Sequence, residues 1–254
     1  MNLITSLRSE IMKTRRTASF YLTIFAAAFG PAITVLEVFF EGIQKNDPKN
    51  LFNILFIEEF QVTGLLALPI FLILICALLP QIEYRNNTWK QVLSSPQTKA
   101  DIFLSKFVNI QLLTLTFFII NVLFTFAGAV ILNWKYPAFN ILSQHLNGYA
   151  ILTLRINTYL VLLGLCAIQF WLGLRFKNFI IPIAIGVACY FAGTILVMQL
   201  QKSLILYLPY TMFLYNGLPE YSPYADGLNW YSLAYTGAFL AIAFLNFRKR
   251  RMIG

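Results

Sequence analysis

Residues 60–106 read FQVTGLLALPIFLILICALLPQIEYRNNTWKQVLSSPQTKADIFLSK, and the change of character near residue 82 decides the fold class. The first part is a run of membrane-span length, since a hydrocarbon core of roughly 30 Å takes about 20 apolar residues of helix. The second part, residues 83–106, carries Arg85, Lys90, Lys99 and Lys106, an aromatic anchor at Trp89 and a break at Pro96. It is too polar for a span and long enough for a short helix plus a turn. A membrane helix followed by a cationic surface segment is the expectation.

Working outward, runs of the same length recur at 20–40, 60–80, 107–132, 156–174, 179–199 and 230–247. They are continuous, whereas a membrane barrel shows roughly ten-residue alternating segments. The whole chain agrees, with 59% hydrophobic and 11% charged residues, against about 25% charged in soluble domains. The fold class is therefore all-α: a polytopic membrane protein with six transmembrane helices, one domain over residues 1–254.

Cations orient such a bundle. With the N-terminus inside, the inner segments hold Arg8, Lys13, Arg15, Arg16, Arg85, Lys90, Lys99, Lys106, Arg175, Lys177 and Arg248 to Arg251. The outer ones hold Lys45, Lys49, Lys135, Arg155 and Lys202. Both termini are expected to be cytoplasmic. Seven of the ten acids fall in the outer half, so the net +9 is a cytoplasmic excess that anionic lipid headgroups and topology explain. No nucleic-acid partner is expected.

The ends of the spans add detail. Residues 1–17 place Leu3, Ile4, Leu7, Ile11 and Met12 at helical spacing among cations, which suits a helix lying in the inner interface. The run after it is span-length and ends without a small-residue cleavage site, so it reads as a retained helix. Gly30-Pro31 is expected to break the first span, and Glu37 lies about a turn from its outer end. Asn86-Asn87-Thr88 predicts a cap for a helix starting near Trp89. In the fifth span Ala184, Ala188 and Ala192 repeat every four residues, a packing stripe for another helix. Asn121, Gln169 and Thr194 read as interhelical hydrogen-bonding groups. Residues 203–218 are apolar but short and interrupted by Pro209, a poor span.

Some chemistry is missing. No Gly-Lys dipeptide occurs, so the chain has no phosphate-cradling P-loop. A single His145, no HExxH and no CxxC leave no metal site, cofactor site or catalytic constellation. Cys76, Cys166 and Cys189 fall within spans as packing residues. Glu58-Glu59 lacks the His and Asn partners that intramembrane proteases pair with glutamates.

The run E-x-R-N-x-T-W-K-x-x-L-x-S-P-x-x-K-x-x-I-x-x-S-K over 83–106 resembles the loop after the second span in permease subunits of type-2 ABC exporters (ABC-2 type). It is most similar to the six-span group that includes bacteriocin- and lantibiotic-immunity permeases. A second stretch, IQFWLGLRFKNFIIPIAIG over 168–186, resembles the same group.

The resemblance implies that residues 81–106 form a cytoplasmic coupling helix seated in a groove of a separate P-loop ATPase subunit. Glu83, Thr88, Trp89, Lys90, Leu93, Ser95, Pro96, Lys99 and Lys106 are the matching positions. It implies an extracellular re-entrant region at 200–229, pairing with a second permease copy or a similar permease, and residence in the cytoplasmic membrane of a bacterium. The function implied is non-enzymatic in this chain: ATP-driven outward movement of an antimicrobial peptide, lipid or hydrophobic drug. A non-transporting sensor or assembly subunit of an ABC complex stays open beside it. An intramembrane enzyme is the third reading, and it lacks convergent polar groups at one depth.

Overall fold

The computed structural model describes residues 3–15, 17–42, 50–93, 96–200, 207–214 and 227–249, with the side chains of Lys90, Leu93 and Leu200 outside that description. The described residues form helices and no strand: α1 (Leu3–Thr14), α2 (Ala18–Glu41), α3 (Leu51–Val62), a π-helical turn (Thr63–Ala67), α4 (Leu68–Arg85), α5 (Trp89–Leu93), α6 (Lys99–Lys135), α7 (Gly148–Arg175), α8 (Ile180–Leu200) and α9 (Leu228–Lys249). Six helical stretches among them are long and apolar enough to cross a membrane, with α3, the π turn and α4 acting as one.

Two of these outrun their hydropathy. The α3–α4 stretch has 35 residues and α6 has 37, or about 52 and 55 Å at 1.5 Å per residue. Both exceed a roughly 30 Å hydrocarbon core. Their ends therefore stand out of the apolar slab, and segments expected to be loops are helical instead. Glu58 and Glu59 lie in α3, and Arg155 lies in α7 rather than in an outer loop. Gly30-Pro31, where a kink is expected, lies inside α2, which stays helical through Pro31.

The prolines are accommodated by neighbouring helices. Each lacks the N–H that would bond the carbonyl four residues back, and in apolar surroundings an orphaned carbonyl is costly. Pro31 leaves Ala27 O, which accepts from Asn121 Nδ2 of α6 at 3.2 Å. Near Pro69, Leu65 O within the π turn accepts from Tyr190 Oη at 2.5 Å. Pro80 leaves Cys76 O, and α7 approaches there through Gly173, where a Cβ would lie 2.2 Å from that oxygen.

Around these contacts the core is rich in buried aromatic rings. Phe71, Phe117, Phe170 and Phe213 are at most 1% exposed, and Phe213 stacks on Tyr190 with ring centres 5.4 Å apart. Ser232 of α9 accepts from Gly164 N and donates to the Leu160 and Val161 carbonyls, which pins α9 to α7. The thiols of Cys76 and Cys166 are buried and in contact at 3.6 Å, whereas Cys189 is exposed.

Gln169 bonds between segments, donating to Tyr210 Oη at 2.8 Å. Thr194 instead donates within its own helix, to Tyr190 O. Ala184, Ala188 and Ala192 all lie on the exposed face of α8, while Gly186, Tyr190 and Gly193 face the bundle. Of the expected re-entrant region only residues 207–214 and 227–229 are described; Thr211 to Leu214 are buried in the core, and the remainder lies outside the described residues.

Candidate functional site

One end of the bundle gathers Arg8, Lys13, Arg85, Lys99, Arg175, Lys177, Arg248 and Lys249, and it is built around the turn from α4 to α6. The α4 helix ends at Arg85, and Asn87 takes the left-handed backbone (φ +53°) that reverses the chain. Thr88 N then bonds Glu83 O at 3.0 Å, and Val92 N bonds Thr88 O at 2.9 Å. The short helix α5 begins at Trp89, at the start the capping residues predict. Pro96 sits exposed in the following bend, and Ser95 lies outside the described residues. Thr98 caps α6 by accepting from Asp101 N at 3.1 Å while its hydroxyl donates to Asp101 Oδ2.

Beneath this turn lies a closed ring of four charges. Lys106 Nζ donates to Glu83 Oε1 at 2.6 Å and to Glu10 Oε2 at 2.8 Å. Lys13 Nζ donates to Glu10 Oε1 at 2.7 Å and to Glu83 Oε1 at 3.1 Å. The ring is formally neutral and joins α1, α4 and α6. Lys106 is 3% and Glu83 1% exposed. These two residues, which the resemblance places with the docking positions, are thus beneath the surface and not on it.

Burial alone lifts the Glu10 carboxyl, but the ammoniums of Lys106 and Lys13 outweigh it and hold Glu10 below its ordinary range. Burial likewise works against the Lys13 charge, and the carboxylates of Glu10 and Glu83 more than offset it, so Lys13 stays protonated above its ordinary range. One lone pair set is left over: Glu83 Oε2 is buried without a protein partner.

The α1 helix docks through its polar stripe. Ser6, Glu10 and Thr14, spaced four apart, are buried against α6, and Asn109 Nδ2 donates to Thr14 Oγ1 at 2.7 Å. Ile4 and Met12 are 76% and 59% exposed on the opposite side, so the apolar face points away from the protein as an interfacial helix requires.

Trp89 ties α5 to the rest of the bundle. Its ring centre is 5.4 Å from Lys106 Nζ, 5.3 Å from the Tyr84 ring and 5.9 Å from the Phe247 ring of α9. Tyr84 Oη in turn donates to Leu174 O of α7 at 2.8 Å, and Lys99 Nζ donates to Arg248 O of α9 at 3.0 Å. A five-residue helix thus bears through Trp89 on α4, α6 and α9, while Tyr84 links α4 to α7 and the charge ring links α4 and α6 to α1. Its outer side is polar, with Asn86, Asn87, Gln91, Pro96, Thr98 and Lys99 exposed.

A second polar cluster lies toward the other end. Glu59, 1% exposed, accepts from Thr63 Oγ1 (2.6 Å), Asn121 Nδ2 (2.7 Å) and Thr125 Oγ1 (3.1 Å), with Arg155 at 3.8 Å. Arg155 is also flanked by the Phe60 ring at 4.6 Å. Sequence reasoning missed both this cluster and the role of Glu10. The available signals were the period-four polar stripe in α1 and a carboxylate at the very edge of an apolar run. His145 is exposed, and no group of three metal-ligating side chains occurs among the described residues.

Compared with known sequences, the chain matches over residues 6–193 the profile of a family described as ABC-2 family transporter protein. The match takes in α1, the charge ring and the α4–α6 turn. No curated protein and no solved structure matches it.

Proposed function

This chain belongs to the ABC-2 family of transporter proteins, and from that premise we propose that it is a permease subunit driven by a separate ATPase that docks on the α4–α6 turn. The observation that carries the reading is the construction of that turn. Its exposed side is polar and cationic, and its inner side is one indole in contact with Tyr84, Lys106 and Phe247. Packed side chains transmit displacement because protein interiors have little free volume. A push on α5 reaches α4 and α9 through Trp89, and reaches α1 and α6 through the charge ring.

In this reading the docking positions are Thr88, Lys90, Leu93, Ser95, Pro96 and Lys99. Glu83 and Lys106 act one layer below as the joint that couples α5 to α1 and α6. The basic end faces the cytoplasm of a bacterium, in keeping with the excess of cations there. A second copy or a similar permease covers the small-residue face at Ala184, Ala188 and Ala192, which no helix among the described residues covers. ATP-driven closure of the ATPase pair moves cargo outward. An apolar groove of about 230 Å³ between α2 and α4, lined by Phe25, Phe29, Leu66, Ile70, Phe71 and Leu74, favours amphipathic cargo such as a membrane-active peptide, lipid or hydrophobic drug.

The test is co-purification from native membranes in mild detergent. A P-loop ATPase is expected with the native chain and is expected to be lost with the variant Lys90→Glu/Lys99→Glu. Retention of the ATPase by that variant, or no ATPase at all, counts against the docking assignment and favours the sensor reading.

A further inference from the structure

The basic end carries a cavity that the docking scheme does not use. It measures about 180 Å³, lies between the last turns of α7 and α9, and is lined by Trp171, Leu174, Arg175, Ala243, Asn246 and Phe247. At that size it is smaller than the roughly 300–1,000 Å³ of sites for drug-sized ligands. It suits a headgroup with the first methylenes of a chain. Its walls divide in the same way: Leu174, Ala243, Phe247 and the Trp171 ring are apolar, and Arg175 and Asn246 supply a cation and an amide.

Charge decides what kind of headgroup fits. Two helix C-termini meet here, and each contributes about half a negative charge. Against that stand Arg175 at the end of α7 and Arg248 and Lys249 in the last turn of α9. Three formal positive charges stand against about one negative, and among the described residues no acidic one lines the cavity. Basic pockets between helices at the cytoplasmic surface are suited to anionic lipid headgroups. Arg175 is held in place by its position over the Trp171 ring, 5.6 Å from the ring centre.

We propose that this cavity binds the phosphodiester headgroup of an anionic phospholipid, with Arg175 and Asn246 on the phosphate and the half-buried Trp171 ring beside the adjoining methylenes, above a floor of Leu174, Ala243 and Phe247. The place gives the site its consequence. Phe247 packs against Trp89, and Leu174 O accepts from Tyr84 Oη. A lipid seated here presses on the two residues that anchor α5, so lipid composition sets how firmly the turn is held. That regulatory consequence rests on the docking reading, whereas lipid binding itself does not.

Binding is measured on the purified full chain in detergent micelles, titrated with phosphatidylglycerol, phosphatidylcholine or soluble glycerol phosphate. Phosphatidylglycerol is expected to bind at least tenfold more tightly than phosphatidylcholine. Arg175→Gln weakens it about five- to tenfold, a size set by one lost cation–phosphate contact. Ala243→Leu, which fills the cavity without changing charge, weakens it similarly. Lys177→Gln, a nearby cation outside the cavity, changes it less than twofold. Thermal unfolding of each variant in phosphatidylcholine micelles checks folding, and Asn246→Ala at an exposed position substitutes for any variant that fails this check.

Equal losses from Lys177→Gln and Arg175→Gln reduce the effect to surface charge and overturn the site. So does an unchanged affinity in Ala243→Leu. Glycerol phosphate binding as tightly as the lipid overturns the lipid assignment in favour of a free phosphate. If the native chain binds phosphatidylglycerol as expected while no ATPase co-purifies with it, the docking reading alone fails.

Discussion

Lys106→Met removes the hub of the four-charge ring. Lys106 Nζ lies 2.6 Å from Glu83 and 2.8 Å from Glu10 and is 3% exposed. At an effective dielectric constant near 20, each contact is worth about 6 kcal/mol before desolvation. Burying the ions consumes several kcal/mol apiece, so the net worth of the ring is modest. Breaking it is another matter: two carboxylates are left sharing Lys13, and such a buried, uncompensated charge costs about 3–5 kcal/mol. Replacing Glu83 as well, in Lys106→Met/Glu83→Gln, leaves the neutral Glu10–Lys13 pair. The double variant is therefore expected to be more stable than the summed single effects by about 2–3 kcal/mol. Reversible unfolding of the purified chain by SDS in mixed micelles, followed by tryptophan fluorescence, gives all three values. The exposed Arg8→Met serves as the reference and is expected to stay within about 0.5 kcal/mol of the parent. A Lys106→Met cost no larger than that reference, or strictly additive single effects, refutes the ring as a joint.

Three further outcomes follow from the same contacts. Hydrogen exchange in α1, corrected for intrinsic rates, is expected to be level between about pH 6 and 9. Because the Glu10 pKa is lowered, its stabilising contribution is present above its ordinary value of 4.5 and is lost as pH falls through the folded value. The raised Lys13 pKa contributes below its ordinary 10.5 and is lost only at more alkaline pH; exchange that instead changes steeply near pH 7 contradicts both assignments. Asn121→Leu strips a donor from Glu59 and from the carbonyl freed by Pro31. A loss of about 2–4 kcal/mol is expected in the same unfolding assay, and a neutral result removes Asn121 from the account of α2. Gly173→Ala drives a methyl group to 2.2 Å from Cys76 O, a backbone atom with little room to yield. About 1–3 kcal/mol of destabilisation is expected, and an unchanged thermal midpoint argues that α4 and α7 are not in close contact there.

The six spans were legible because a bilayer leaves few choices: each crossing needs an unbroken apolar run, and the chain has six. Their ends were not, since hydropathy falls where charges begin while the helical backbone continues. Glu59 and Arg155 accordingly lie just outside the apolar runs at 60–80 and 156–174 and yet inside α3 and α7. Lys106 was readable as a cation and unreadable as a buried one, because its partner Glu10 lies 96 residues away and a positive surface charge looks the same in sequence. The prolines show the same limit. Pro31 predicts an unpaired carbonyl, but that Asn121 fills the vacancy depends on how α6 packs. What marked the start of α5 was local, since Asn86-Asn87-Thr88 before Trp89 is a capping signal carried by neighbouring residues alone.

The central claim is that an ATPase bears on α5, and site-specific photo-cross-linking addresses it most directly. A photoreactive residue is placed at Gln91, exposed on α5, and in a separate chain at Trp134, exposed at the opposite end of α6. Each is irradiated in native membranes. The account predicts a cross-linked P-loop ATPase from position 91, none from position 134, and a yield at 91 that changes when ATP hydrolysis is blocked with vanadate. An ATPase captured equally from both positions, or from neither, contradicts it.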